Sequence, residues 1–224
     1  MSSLAPQTPV ADSAANNEGF FLANRLGSIL AILPLGAWTA VHLWNNLAVF
    51  QGPAAWQHQV THYDHPFGAV LISIIVLLPL LFHTGWGIGR LFKSRPNNAR
   101  YGSFDNLRYL LQRLAAIGVL LFIGAHLWLA FIHPHFFENG AEPFADIAHE
   151  MHYNLPTLVV YLLGTLGVAY HLGNGIASMG MGWGLATSAK GMKRWQAFGI
   201  FLFVVLLAMS WAAVYGLWSA GASF

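Results

Sequence analysis

Four long uncharged apolar stretches of this chain each enclose a single histidine. GAWTAVHLWNN holds His42, LLPLLFHTGWG holds His83, LFIGAHLWLA holds His126 and VVYLLGTLGVAYHLGNGIA holds His171. Each lies within a run long enough to approach the about 20 residues that carry a helix across hydrocarbon. An ionisable ligand at that depth is expensive and reads as functional. Four of them, one per helix at nearly even separations, point to paired use. The pattern suits two six-coordinate haem irons, each held between histidines of two different helices.

Composition agrees with a membrane setting. Only 8% of residues are charged and 56% are hydrophobic, whereas roughly 25% of a soluble domain is charged. The expected fold is an all-α membrane protein of five transmembrane helices, the first four forming a haem-binding bundle. The chain has no cysteine. Disulfides, thiolate-held iron–sulfur clusters and covalent c-type haem are therefore excluded from it. No glycine-rich nucleotide fingerprint is present, so flavin and nicotinamide chemistry must reside elsewhere.

Residues 1–20 are rich in Ser, Ala, Pro and Asn and read as a flexible polar tail rather than a signal peptide. Residues 21–224 form the membrane domain. Span I runs from Leu26 to Phe50, II from Phe67 to Gly89, III from Leu114 to Phe131, IV from Leu155 to Met179 and V from Trp195 to Trp218. Span III gains length by extending back through Tyr109–Arg113. Pro34 and Pro79 are expected to bend spans I and II, and Pro156 suits the first turn of helix IV. All 10 Lys and Arg residues fall before span I, between II and III, or between IV and V. The other two loops carry Asp64, Glu138, Glu142, Asp146 and Glu150 instead. The positive-inside rule then places the N-terminus inside and the C-terminus outside.

That topology assigns depths. Helix I leaves the inner charges at Arg25 and reaches His42 after roughly 25 Å, while His83 lies roughly 10 Å short of the inner charges at Arg90. By the same count His126 is outer and His171 inner. His42 and His126 form the outer pair, and His83 and His171 the inner pair, with the two levels about 15 Å apart. Such a stack would carry electrons across the bilayer. Gly36, Gly85, Gly87, Gly118, Gly124, Gly164, Gly167 and Gly175 lie in the same spans. They allow either a porphyrin or a neighbouring helix to approach the backbone. Span V has no histidine and is expected to flank the bundle. Trp183, Trp195, Trp211, Tyr215 and Trp218 fit interfacial belts.

The run NNARYGSFDNLRYLLQRLAAIGVLLFIGAHLWLA, with the later YLLGTLGVAYHLGNGIASMGMGWG, resembles the cytochrome b subunit of succinate dehydrogenase and fumarate reductase. The likeness is to the type with one five-helix subunit and two b-type haems. Its most specific parts are the Arg-Tyr and Leu-Gln-Arg elements before helix III and the four histidines. The resemblance implies that His42 and His126 hold the distal haem, and His83 and His171 the proximal one. It implies a flavoprotein and an iron–sulfur subunit docked on the inner basic face, and a membrane quinone, menaquinone, as the redox partner. It implies a multi-pass location in a bacterial cytoplasmic membrane as part of respiratory complex II. Some relatives carry a glutamate two residues before the fourth ligand, proposed for a proton path. Here Ala169 stands at that position, so that route is in doubt.

Secondary sites follow from polarity near the span ends. Arg25, Ser28 and Arg113 are candidates for the inner haem's propionates, against the alternative that they snorkel as anchors. The loop WQHQVTHYDHPFG holds His58, His62, Asp64 and His65, and the loop after span III holds His133, His135, His149 and His152. A dedicated metal site there is not expected. Asp64, with His65 beside it, is the candidate for proton exchange with a quinone at the outer level. Two other readings stay open: the cytochrome b anchor of a hydrogenase or formate dehydrogenase, and a haem-free transporter that relays protons through its histidines.

Overall fold

Hydrocarbon offers a spanning backbone no water to bond with, so each span must close its own hydrogen bonds as a helix. The computed structural model describes residues 25–62, 67–93, 104–138 and 140–224, and among these every regular element is helical. Five helices are long and apolar enough to cross a membrane: Arg25–Gln51, Val70–Phe92, Asn106–Phe137, Leu155–Gly182 and Ala189–Gly221. They are the five spans of the sequence, lengthened where the helix continues past the apolar run. The polar tail of residues 1–20 lies outside the described residues, as do Asp64 and His65.

In chain order, α1 is the span Arg25–Gln51, and α2 is a short helix, Pro53–Thr61. Next come α3 (Gly68–Lys93) and α4 (Phe104–Leu127), the latter continuing through a π-helical turn, Trp128–Ile132, and a last turn, His133–Phe137. The chain then forms α5 (Phe144–Tyr153), α6 (Leu155–Gly182) and α7 (Ala189–Gly221). Pro34 sits in a π-helical stretch of α1, Ala31–Gly36, which absorbs its missing donor, whereas Pro79 lies within uninterrupted α-helix. Pro156 occupies the first turn of α6, whose N-cap Asn154 accepts from Thr157 N at 3.2 Å.

Small residues set the packing, as they do where lipid removes the hydrophobic drive between helices. A Cβ on Gly173 of α6 would lie 2.6 Å from the Gly199 carbonyl of α7, so these two backbones cross in contact. Trp195 packs on Gly180 and donates from Nε1 to Ile176 O at 2.7 Å. Phe122 of α4 fills the space over Gly164 of α6, and Val49 of α1 that over Gly216 of α7. Helix α7 is therefore more than a flank: it packs along α6 and also reaches α1 and α5. By contrast α3 lies, among the described residues, chiefly against the first part of α1, with Arg113 of α4 reaching its last carbonyls. Trp86 of α3 covers Gly27 there. Its exposed Val70, Leu71, Ile74, Leu78, Leu81 and Phe82 make a lipid-facing surface.

The two outer loops carry helices rather than open polar chain. Trp56 of α2 and Phe144, Ile147, Ala148 and Met151 of α5 are buried together with Val49, Tyr161, Val214 and Leu217. Gln57 ties the two loops, accepting from Phe144 N at 2.8 Å and donating to Glu142 O at 3.0 Å. This apolar cluster closes the acidic end of the bundle. At the basic end Arg25 lies over the Trp183 ring at 5.4 Å.

Candidate functional site

Helices α1 and α4 bring His42 and His126 together edge to face, with ring centroids 5.9 Å apart and planes at 66°. Helices α3 and α6 do the same for His83 and His171, at 6.1 Å and 70°. These are the two pairs that depth assigned. An iron between two imidazoles, each bonded at about 2 Å, puts the ring centroids roughly 6 Å apart whatever the twist between their planes. Both pairs therefore have the separation that bis-imidazole ligation requires. Each pair also joins two helices that are not neighbours in the chain, as a cofactor buried in a bundle demands.

The rings are held from behind. His83 Nδ1 lies 3.3 Å from Gly27 O, His126 Nδ1 lies 3.1 Å from the Tyr161 hydroxyl, and His171 Nδ1 lies 3.1 Å from Gln112 Nε2. At His83 and His126 an oxygen that can accept from Nδ1 directs Nε2 outward, the usual way a protein aims a histidine ligand, whereas Gln112 holds His171 by donating to its carbonyl at 3.0 Å. His42 differs. Asn46 Nδ2 donates firmly to His42 O at 2.8 Å and only grazes His42 Nε2 at 3.4 Å, while Trp56 Nε1 donates to Asn46 Oδ1 at 3.2 Å. Aromatic rings lie against three of the imidazoles: Trp38 stacks on His42, Phe122 on His126, and Trp86 is tilted over His83.

The glycines divide by what surrounds them. Gly36, Gly164 and Gly167 face side chains of neighbouring helices, and Gly175 faces Gln112, so these serve helix packing. Gly85, Gly87, Gly118 and Gly124, on the helices of His83 and His126, have nothing within 4 Å of a notional Cβ. Of these, Gly85, Gly118 and Gly124 are exposed. The residues present thus fit haem: imidazoles opposed at the right span, with one ring of each pair oriented through Nδ1. Among the described residues no group of three or more His, Cys, Asp or Glu converges. A pair of axial imidazoles needs no such group.

The remaining candidates are placed as follows. Arg113 donates to the carbonyls of Arg90 and Leu91, both at 3.0 Å, and lies over the Tyr109 ring. It caps the end of α3. Arg25 lies against Trp183, and Ser28 is one helical turn further in on the same helix. His58 stacks on His62, and His152 Nδ1 lies 2.7 Å from Trp218 O. Glu142 entered the sequence reading only as one of the carboxylates of the outer loops. It is buried, 8% exposed, at the acidic end. Burial first, then the carboxylates of Asp146, Glu138 and Glu150, push its carboxyl up to about 7.

Fold and site together define a class: a multi-pass helical membrane protein with two facing imidazole pairs at two levels. The chain is 27% identical over 203 residues to the succinate dehydrogenase cytochrome b558 subunit of Bacillus subtilis (strain 168), covering 90% of this chain and 98% of that protein. No family model matches the chain. The likeness, which runs nearly end to end on both chains, supports a membrane cytochrome b anchor within a succinate dehydrogenase complex.

Proposed function

We propose that this chain is the dihaem membrane subunit of a succinate:quinone oxidoreductase. The observation that carries the reading is the opposition of His42 to His126 and of His83 to His171 at 5.9 and 6.1 Å across four spanning helices. His42 and His126 would hold an outer haem b, and His83 and His171 an inner one. When bound, haem supplies one-electron reduction and oxidation, and axial imidazoles and their hydrogen bonds set its potential.

The chain's own residues do the rest. Gly27 and Tyr161 fix the His83 and His126 rings, one of each pair, so that their ligation does not depend on free imidazole rotamers. Phe122, Trp38 and Trp86 keep polar groups from the ring faces. The basic end, inside by the positive-inside rule, offers its cations to a docked iron–sulfur subunit, itself fed by a flavoprotein that oxidises succinate. Electrons pass between that subunit and a membrane quinone, assigned as menaquinone. Arg25 and Ser28, close to the inner pair, are the better placed of the propionate candidates. Arg113 is occupied at the end of α3. Asp64 and His65 remain the proposed proton-exchange groups for the quinone.

The test is affinity purification of the tagged chain from native membranes in mild detergent. A flavoprotein and an iron–sulfur protein should copurify, and the complex should reduce a quinone with succinate. Copurification of a hydrogenase or formate dehydrogenase would replace the partner assignment, and a colourless preparation without partners would favour the proton-relay transporter.

A further inference from the structure

Helices α4 and α6 leave a groove along one side of their contact. Its volume is about 320 Å³, and Leu111, Ala115, Gly118, Leu163, Leu166 and Tyr170 are among the residues that line it. Leu114 and Leu163 at its rim are 56% and 63% exposed, so the groove opens to the surroundings of the bundle. Arg113, which reaches α3, lies roughly 160° round α4 from Leu111. The groove therefore faces away from α3, and so from His83.

One end of the groove is polar. Arg108 stands one turn before Leu111 on α4, and Asn174 one turn after Tyr170 on α6. Arg108 Nη2 donates to Asn174 Oδ1 at 2.7 Å, and Asn174 Nδ2 donates to Gln112 Oε1 at 2.8 Å. A guanidinium carries five donors. Among the described residues Arg108 spends only that one and makes no ion pair. Tyr170, with Phe203 of α7 edge-on at 5.9 Å, has its hydroxyl buried without a hydrogen-bond partner among the described residues. Arg108 is near enough for its charge to act on that hydroxyl. A buried hydroxyl left unbonded is costly, and an acceptor entering the groove would relieve it.

Length and charge select the occupant. From Arg108 to Gly118 α4 rises roughly 15 Å, half of the about 30 Å hydrocarbon core. An apolar slot one leaflet deep, with a cation at its basic end, complements an acyl chain below an anionic headgroup. A zwitterionic headgroup also offers a phosphate, but sets a second cation beside the guanidinium. Lys190, Lys193 and Arg194 of the adjoining α7 are exposed at the same end and add to the field.

We propose that the α4–α6 groove binds one anionic phospholipid of the leaflet at the basic end, its phosphate at Arg108, an ester oxygen at the Tyr170 hydroxyl and one acyl chain over Ala115 and Gly118. The site stands whether or not the chain holds haem.

The test is native mass spectrometry of the purified complex, delipidated by detergent exchange and then titrated with phosphatidylglycerol or, separately, phosphatidylcholine. Wild type should retain one phosphatidylglycerol per copy of this chain in preference to phosphatidylcholine. Arg108→Gln, which keeps a donor for Asn174, should weaken that adduct about fivefold, the worth of one basic residue toward anionic lipid. Arg108→Lys should keep most of it, and Tyr170→Phe should weaken it less than Arg108→Gln. Gly118→Leu fills the slot without a clash, since nothing lies within 4 Å of a Cβ there, and should abolish the adduct. If Arg108→Gln fails to assemble, Tyr170→Phe and Gly118→Leu carry the test, because both leave the Arg108–Asn174 bond in place. Equal binding of the two lipids, or a phosphatidylglycerol adduct that survives the groove and headgroup variants alike, overturns the proposal. So does a quinone in the lipid's place: menaquinone extracted from wild type and absent from Gly118→Leu.

Discussion

Glu142 shows how a residue outside the spans becomes consequential once the chain folds. Its carboxyl, ordinarily ionised above the usual carboxylate range, holds its proton up to about 7 because it is buried beside three other carboxylates. Between those two values the folded chain binds a proton that the unfolded chain has released. Stability therefore falls as pH rises through that window and stays reduced above it. Glu142→Gln should flatten the decline, raising the melting temperature at pH 8 while changing it little at pH 4. Thermal unfolding of the purified complex at both values checks this, and an unchanged pH profile would contradict it. The four histidines were legible in the sequence because an imidazole within an apolar run has few structural excuses. Their partners were harder. Gln112 and Asn174 are also polar residues in apolar surroundings, a signal of the same kind, but their joint role depends on a contact between distant helices. Tyr161 reads as an ordinary apolar-span tyrosine until α6 lies against α4. Glu142 reads as one more loop carboxylate until α2 and α5 bury it.

The spanning helices follow from hydropathy, since each contains a long uncharged run, but α4 starts at Phe104 and α7 at Ala189, well before the apolar runs begin. The short helices α2 and α5 were not legible, because PAAWQHQVT and FADIAHEMHY are rich in histidine and polar groups. Their apolar residues find a face only against Val214, Leu217 and Tyr161. The two π-helical stretches are invisible to periodicity as well, although Pro34 marks one of them. Glycine-rich stretches could be read as cofactor space or as helix contact, and the structure shows position by position where the contact is. At Gly164 the neighbour is Phe122, which itself stacks on His126. Gly164→Leu should therefore overpack the α4–α6 contact, at about 1–3 kcal/mol for insertion of this kind. It should also displace Phe122 and weaken the outer haem before the inner one. Haem content of the variant, read alongside Gly164→Leu combined with Phe122→Ala, checks this. Selective loss that the second substitution relieves is the expected outcome, and equal loss of both haems would contradict it.

For the whole molecule, one-sided cations give the expected orientation and with it the expected depths, so the pairing of the four histidine rings could be read before any coordinates. The absence of cysteine makes the orientation directly testable. Gln59 and Thr187 are exposed at opposite ends. In intact cells a membrane-impermeant thiol reagent should label Gln59→Cys and spare Thr187→Cys until the membrane is opened; the reverse pattern would invert the topology. What depth could not supply was the closeness of α7 to α6 or the isolation of α3, since both depend on which small residues face which neighbour. The separation of α3 from α4 and α6 acquires a purpose if His83 meets His171 across a macrocycle. Haem stoichiometry is thus the most direct measurement. The purified complex should give two protohaems per copy of this chain by pyridine haemochrome assay. Alanine at any one of His42, His83, His126 or His171 should remove about one haem's worth of reduced-minus-oxidised absorbance, on the rule that each six-coordinate iron needs both axial ligands. A wild-type complex with no protohaem or only one, or a His171→Ala complex with its haem content unchanged, would contradict the dihaem reading.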